Sequence, residues 1–155
     1  MGSSSEVPVL WELVRTARIA ERWLAQAVGS AELTPTQFAV VACLGDTGEL
    51  SKTELARSLR VRHQVMGPIL RRMIDAGLVE LTGLGGRGRR NVLRLTQAGH
   101  DALGHAQTAV VRASRPTSLG LTAREQVTLT RLLVQLRDAL DDAELAQPTT
   151  RRNLQ

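Results

Sequence analysis

Tyrosine is absent from this chain of 155 residues, phenylalanine occurs once, and aromatics make up only 2% of a sequence that is 43% hydrophobic. The apolar content is therefore mostly Leu, Val and Ala, which suits packed helices better than a large sheet. Cysteine occurs once, at Cys43. A single thiol excludes an intramolecular disulfide and a multi-cysteine zinc site within one chain. Only three histidines are present, His63, His100 and His105. The last two are one residue too far apart for an i, i+4 metal pair, and no carboxylate pair stands in a setting suited to acid–base work. No metal site, cofactor or catalytic constellation is expected, so the chain is not read as an enzyme. No apolar run approaches the roughly 18–20 residues of a membrane span, and no secretory signal is visible. A cytoplasmic protein without a membrane partner is expected.

What the chain does have is basic charge, unevenly spread. The net charge is +5, yet residues 51–100 carry ten Lys/Arg against three Asp/Glu, while residues 1–50 carry three against six. A basic block between near-neutral ones is the footprint of a surface that meets a polyanion. A solvated basic face is the plainer alternative. The length suits one good core with an appended oligomerisation element.

Residues 1–7 read as a disordered leader. From Pro8 to about Gly29, Leu10, Leu13, Val14, Ala17, Leu24 and Val28 recur at helical spacing. Trp11 and Trp23 exceed what a narrow stripe needs, so they either pack across a subunit interface, line a pocket or serve as ordinary packing residues. Thr34 and Pro35 then cap and open a second helix, which is apolar nearly all round, carries Phe38 and a buried Cys43, and is expected to end at Gly45 and Gly48.

Ser51 and Glu54 form the S-x-x-E pattern of a capping box, so Ser51, Lys52 and Thr53 present hydroxyls, an ammonium and free N–H groups suited to phosphate. Arg60-Val61-Arg62 makes a turn into a second helix, His63 to Ala76, stopped by Gly77. Its inward face is Met66, Ile69, Leu70 and Met73. Its outward face is His63, Gln64, Gly67, Pro68 and Arg71, with Arg62 just before it. Arg suits guanine, Gln suits adenine, and glycine permits close approach in a major groove. Arg60 and Arg71 are candidates for phosphate instead, and His63 ranks below Arg62 and Gln64 as a base reader. Pro68 removes a helical hydrogen bond, so a bend or a loosened first turn is expected there.

Leu78–Leu81 and Val92–Leu95 read as two strands around a glycine-rich loop carrying Arg87, Arg89 and Arg90. Such a finger fits a narrow minor groove. GLGGRGRR lacks G-K-[ST] and opens no helix, which excludes a nucleotide loop. Thr96 caps a helix from Gln97 to about Ser114, broken by Pro116. Thr122 and Glu125 open a last helix striped with Leu129, Leu132, Leu133, Leu136 and Leu140. That stripe must be buried.

The expected architecture is mainly α with a small β wing. Residues 33–96 form a winged helix-turn-helix, residues 8–30 and 97–146 a helical dimerisation lobe, and residues 147–155 a frayed tail. With LTPTQFAVVACL, AGLVE, a basic wing and RLTQAG in that order, the chain resembles the MarR family of transcriptional regulators over roughly residues 8–145. The resemblance implies a homodimer on a pseudo-palindromic double-stranded operator, with recognition helices in major grooves, wing tips in minor grooves and half-site centres roughly 10 bp apart. It also implies a small aromatic or anionic effector in a crevice between lobe and winged domain, for which Trp11, Arg15, Arg18 and Phe38 are the candidates. Two features depart from relatives. The wing carries Gly85, Gly86 and Gly88 but no acid to brace an arginine. Pro68 resembles the organic-peroxide-sensing branch, yet the first helix lacks that branch's cysteine, which disfavours thiol sensing. The expected function is a ligand-released repressor. The alternative is a winged-helix module that contacts proteins without reading DNA.

Overall fold

The structure, a computed structural model, describes residues 8–83 and 91–146. The expected leader (1–7), the tail (147–155) and the wing tip with Arg87, Arg89 and Arg90 lie outside the described residues. The chain divides into two compact units, one ending at Ala113 and one beginning at Ser114.

In the first unit, α1 (Val9–Gly29) is followed by α2 (Pro35–Thr47), β1 (Leu50–Ser51), α3 (Lys52–Ser58), α4 (His63–Asp75), β2 (Val79–Thr82), β3 (Val92–Leu95) and α5 (Gln97–Ala113). Thr34 caps α2 through a reciprocal box. Its hydroxyl accepts from the Gln37 N–H, while the Gln37 side chain accepts from the Thr34 N–H. Gly45 does not end this helix, contrary to expectation. It lies inside α2, where a Cβ would come within 2.5 Å of Leu103 on α5, so the glycine serves close helix packing. Gly48, with φ of +81°, is the residue that stops the helix.

The core is aliphatic, as the composition demands. Val28, Val40, Val41, Leu44, Leu55, Met66, Met73 and Val79 are essentially inaccessible to solvent. Cys43 is half-buried rather than buried and packs against this cluster. Desolvation pushes its thiol pKa up, outweighing the hydrogen bond to Ser58 that lowers it, so the thiolate that oxidation chemistry needs is disfavoured.

The sheet has a third strand that the sequence did not announce. β3 lies between β1 and β2 and is antiparallel to both, with Leu50 opposite Leu93 and Val79 opposite Leu95. β2 starts one residue later than expected, because Leu78 belongs to the stop of α4. There the Leu78 and Gly77 N–H groups donate to the Met73 and Ile74 carbonyls, with Gly77 at φ of +70°. This is a Schellman stop. Thr96 caps α5 by accepting from the Gly99 N–H and donates its own proton to the Gly77 carbonyl, fastening the end of α4 to the start of α5. Gly99 completes that junction, since a Cβ there would collide with the Leu78 carbonyl.

The second unit holds α6 (Pro116–Leu119), a short helix the sequence reading passed over, and α7 (Ala123–Ala146). Pro116 both ends the preceding helical pattern and opens α6 at a first-turn position, where its missing N–H costs nothing. The Thr122–Glu125 capping box is present as expected. Glu125 has its pKa lowered by the hydrogen bonds from Thr122.

Candidate nucleic-acid interface

The interface is built on two helices held at a fixed turn. Leu55 and Ala56 anchor α3 in the core, and Met66, Leu70 and Met73 anchor α4. Between them the chain reverses at Arg60, whose N–H donates to the Arg57 carbonyl while the Val61 N–H donates to that of Ala56. This is a second Schellman stop, with an arginine at φ of +53° where glycine would be unstrained. The backbone conformation costs about 1–2 kcal/mol, which places a cation at the tightest point of the turn.

With the apolar side of α4 pinned, Arg62, His63, Gln64, Pro68 and Arg71 are all exposed. α4 runs unbroken through Pro68. In its first turn the Arg62 carbonyl accepts from both Val65 and Met66. Gly67 sits on the flank facing α3, half-buried, where a Cβ would stand 3.1 Å from the Lys52 amine. Its smallness lets Lys52 lie across the recognition helix. Lys52, Gly67, Leu70, Arg71, Ile74, Leu81, Asn91 and Leu93 line a hollow of about 450 Å³ between α4 and the wing strands.

The start of α3 carries the capping box expected from its S-x-x-E pattern. The Ser51 hydroxyl is committed to Glu54, donating to its carboxylate at 2.6 Å and accepting from its N–H at 3.3 Å, so Ser51 holds the helix end. Thr53 stays exposed. A second hollow of about 440 Å³ joins Ser51, Thr53 and Glu54 to Arg57 and Asn91. Arg57 was missed by sequence reasoning, although its i, i+4 spacing from Thr53 puts both on one helical face. Val65 was missed as well: it is 51% exposed on α4, outside the apolar face. Not all of the basic block is available, because Arg94 is paired with Glu80 at 2.7 Å across β3 and β2.

Of the four effector candidates, Trp11, Arg15 and Arg18 lie on α1 and Phe38 on α2. Trp11 is 59% exposed on α1, Arg15 pairs with Glu12 at 3.4 Å, Arg18 is exposed, and Phe38 packs against the core. A groove of about 510 Å³ does exist between α1, α2 and the α3–α4 turn, lined by Ala17, Ala20, Glu21, Leu24, Pro35, Thr36, Ala39, Leu59 and Val61. None of the four lines it. Among the described residues, no group of three His, Cys, Asp or Glu could hold a metal ion, and no helix is long and apolar enough to cross a membrane.

Known proteins share this arrangement. A family model described as the MarR family matches residues 31–90. The HTH-type transcriptional repressor Rv2887 of Mycobacterium tuberculosis is 33% identical over 137 residues, covering 88% of this chain and 98% of the relative. Solved structures of the M. tuberculosis MarR family protein Rv2887 superpose on the fold at 28% identity. Its complex with DNA gives a TM-score of 0.71, over 84% of this chain and 98% of that one. Its complex with salicylic acid gives 0.69, over 86% and 99%.

Proposed function

The chain belongs to the MarR family, and from that premise we propose that it is a homodimeric, sequence-specific DNA-binding transcriptional regulator, a repressor released by a small aromatic or anionic effector. The observation that carries this reading is the exposed face of α4, where Arg62, His63, Gln64 and Arg71 stand together on a helix whose opposite side is locked into the core. In this reading Arg62 and Gln64 contact base edges, His63 flanks them, and Gly67 gives clearance. Lys52, Thr53, Arg57, Arg60 and Arg71 take phosphates, and Ser51 supports that cluster by holding the start of α3. Arg87, Arg89 and Arg90 of the wing reach the minor groove.

Residues 33–96 act as the DNA reader, and residues 8–30 and 97–146 carry dimerisation. The relative Rv2887 has been solved with both DNA and salicylic acid, which supports a regulator that answers to a small ligand. We place the effector in the groove between α1, α2 and the α3–α4 turn, whose largely apolar lining suits an aromatic ring. Leu59 and Val61 lie at that turn, so an occupant would bear on the angle between the two helices and bias one arrangement over another. Trp11, Arg15, Arg18 and Phe38, none of which lines that groove, remain candidates for contacts outside it.

The test is fluorescence anisotropy on duplexes from the chain's own upstream region over a range of salt. Sequence-selective binding that weakens steeply with salt is expected. Arg62→Ala or Gln64→Ala should cut discrimination by about 1–3 kcal/mol, while Arg89→Ala should weaken all sequences and lower the salt slope by about one. Salicylate should release the complex. A protein-contact module would show no selective, salt-dependent binding, and that result would end the proposal.

A further inference from the structure

We propose that Val65, flanked by Pro68 on the same exposed side of α4, reads the C5-methyl group of a thymine in the major groove; this rests on the DNA-binding reading above. Three observations converge on Val65. Its side chain is 51% exposed, whereas Met66, Leu70 and Met73 on the same helix are at most 4% exposed, so it plays no part in anchoring the helix. It stands in the first turn of α4, the part of a recognition helix that meets base edges. Among the described residues it also belongs neither to the core cluster, nor to the hydrophobics packed against that cluster, nor to the lining of either hollow beside the helix.

Pro68 is exposed three residues later. Residues at i and i+3 are neighbours on a helix, so an isopropyl group and a pyrrolidine ring make one apolar strip beside Gln64. Among the edges that base pairs present in the major groove, only thymine offers an apolar group, its C5-methyl. The polar neighbours on this face cannot distinguish thymine by that methyl. Val65 can, by burying it.

The experiment uses the full chain and an operator selected from a random-sequence duplex library. Each thymine of the half-site is replaced singly by deoxyuridine, which removes the methyl and leaves every hydrogen-bonding group in place. At one thymine per half-site the wild type should lose about fourfold in affinity, the equivalent of ~0.8 kcal/mol for one buried methyl. Val65→Ala should bind the thymine and uracil duplexes alike, with an unchanged thermal melt, and Val65→Ile should retain the preference. The inference is overturned, with DNA reading intact, by a wild type indifferent to deoxyuridine at every position, by an alanine variant that keeps the full fourfold loss, or by selected half-sites without thymine. Loss of sequence-selective, salt-dependent binding altogether would overturn the underlying reading and this inference with it.

Discussion

Arg60 shows how a single residue can be asked for two incompatible things. Its φ of +53° belongs to glycine on steric grounds, yet its side chain puts an exposed guanidinium in the turn between α3 and α4. Arg60→Gly should therefore be about 1–2 kcal/mol more stable than Arg60→Ala, since both lose the guanidinium and only glycine is unstrained there, while each variant weakens DNA binding and reduces its salt dependence by about one counterion. Denaturant melts and salt titrations on the two variants would separate the backbone effect from the charge effect. A glycine variant no more stable than the alanine variant would contradict the account. The glycines make a complementary pair. Alanine at Gly99 would drive its methyl into the Leu78 backbone carbonyl, which cannot move without disturbing the Thr96 junction. At Gly45 the obstacle is the far end of the Leu103 side chain, which can rotate. Gly99→Ala should cost about 1–3 kcal/mol. Gly45→Ala should be far milder, because alanine's helix preference of about 1 kcal/mol offsets the repacking.

At the scale of elements, the caps carried most of what the sequence could say. Thr34, Ser51, Thr96 and Thr122 each start a helix where expected, because a capping hydroxyl acts within three residues and leaves a local signature. The inward face of α4 was legible for the same reason: Met66, Ile69, Leu70 and Met73 follow the helical period. β1 was not, since two residues have no period and Leu50 pairs only with Leu93, more than forty positions away. Gly45 was misread because a glycine inside a helix and one at its end look alike until the neighbouring α5 is placed. The exposed side of Val65 likewise depends on how α4 packs, which the sequence does not show.

The Thr122–Glu125 cap makes a pH-dependent prediction for α7. A carboxylate whose folded pKa is lowered contributes stability above its ordinary pKa and loses it as pH falls through the lowered value. Glu125→Gln should thus lower the melting temperature of the wild type near neutral pH, and the gap should close on acidification. A gap that widens in acid would reverse the assigned sign.

For the molecule as a whole, the distribution of exposed apolar surface is decisive. Val9, Leu10, Trp11, Val14, Ile19 and Trp23 on α1 are 45–71% exposed, and Val127, Leu129, Leu132, Leu133, Val134 and Leu140 on α7 are 41–71% exposed. Surface of this extent on two long helices is unstable in water unless something covers it. A second copy is the cover that the family fold implies, and the chain supplies its own reporter. Its two tryptophans both lie on α1, 59% and 51% exposed in the single chain. Their emission should be blue-shifted at micromolar concentration, where the dimer buries them, and should move to the red on dilution before secondary structure is lost. Because a dimer that binds only the folded state stabilises it by mass action, the melting temperature should rise with protein concentration. Trp23→Arg should abolish that concentration dependence and also weaken operator binding, since two half-sites bound through one dimer gain from the high effective concentration of the second reading head. A concentration-independent melt with solvent-exposed tryptophan emission throughout would mean that the apolar faces of α1 are covered by something other than a second copy of this chain.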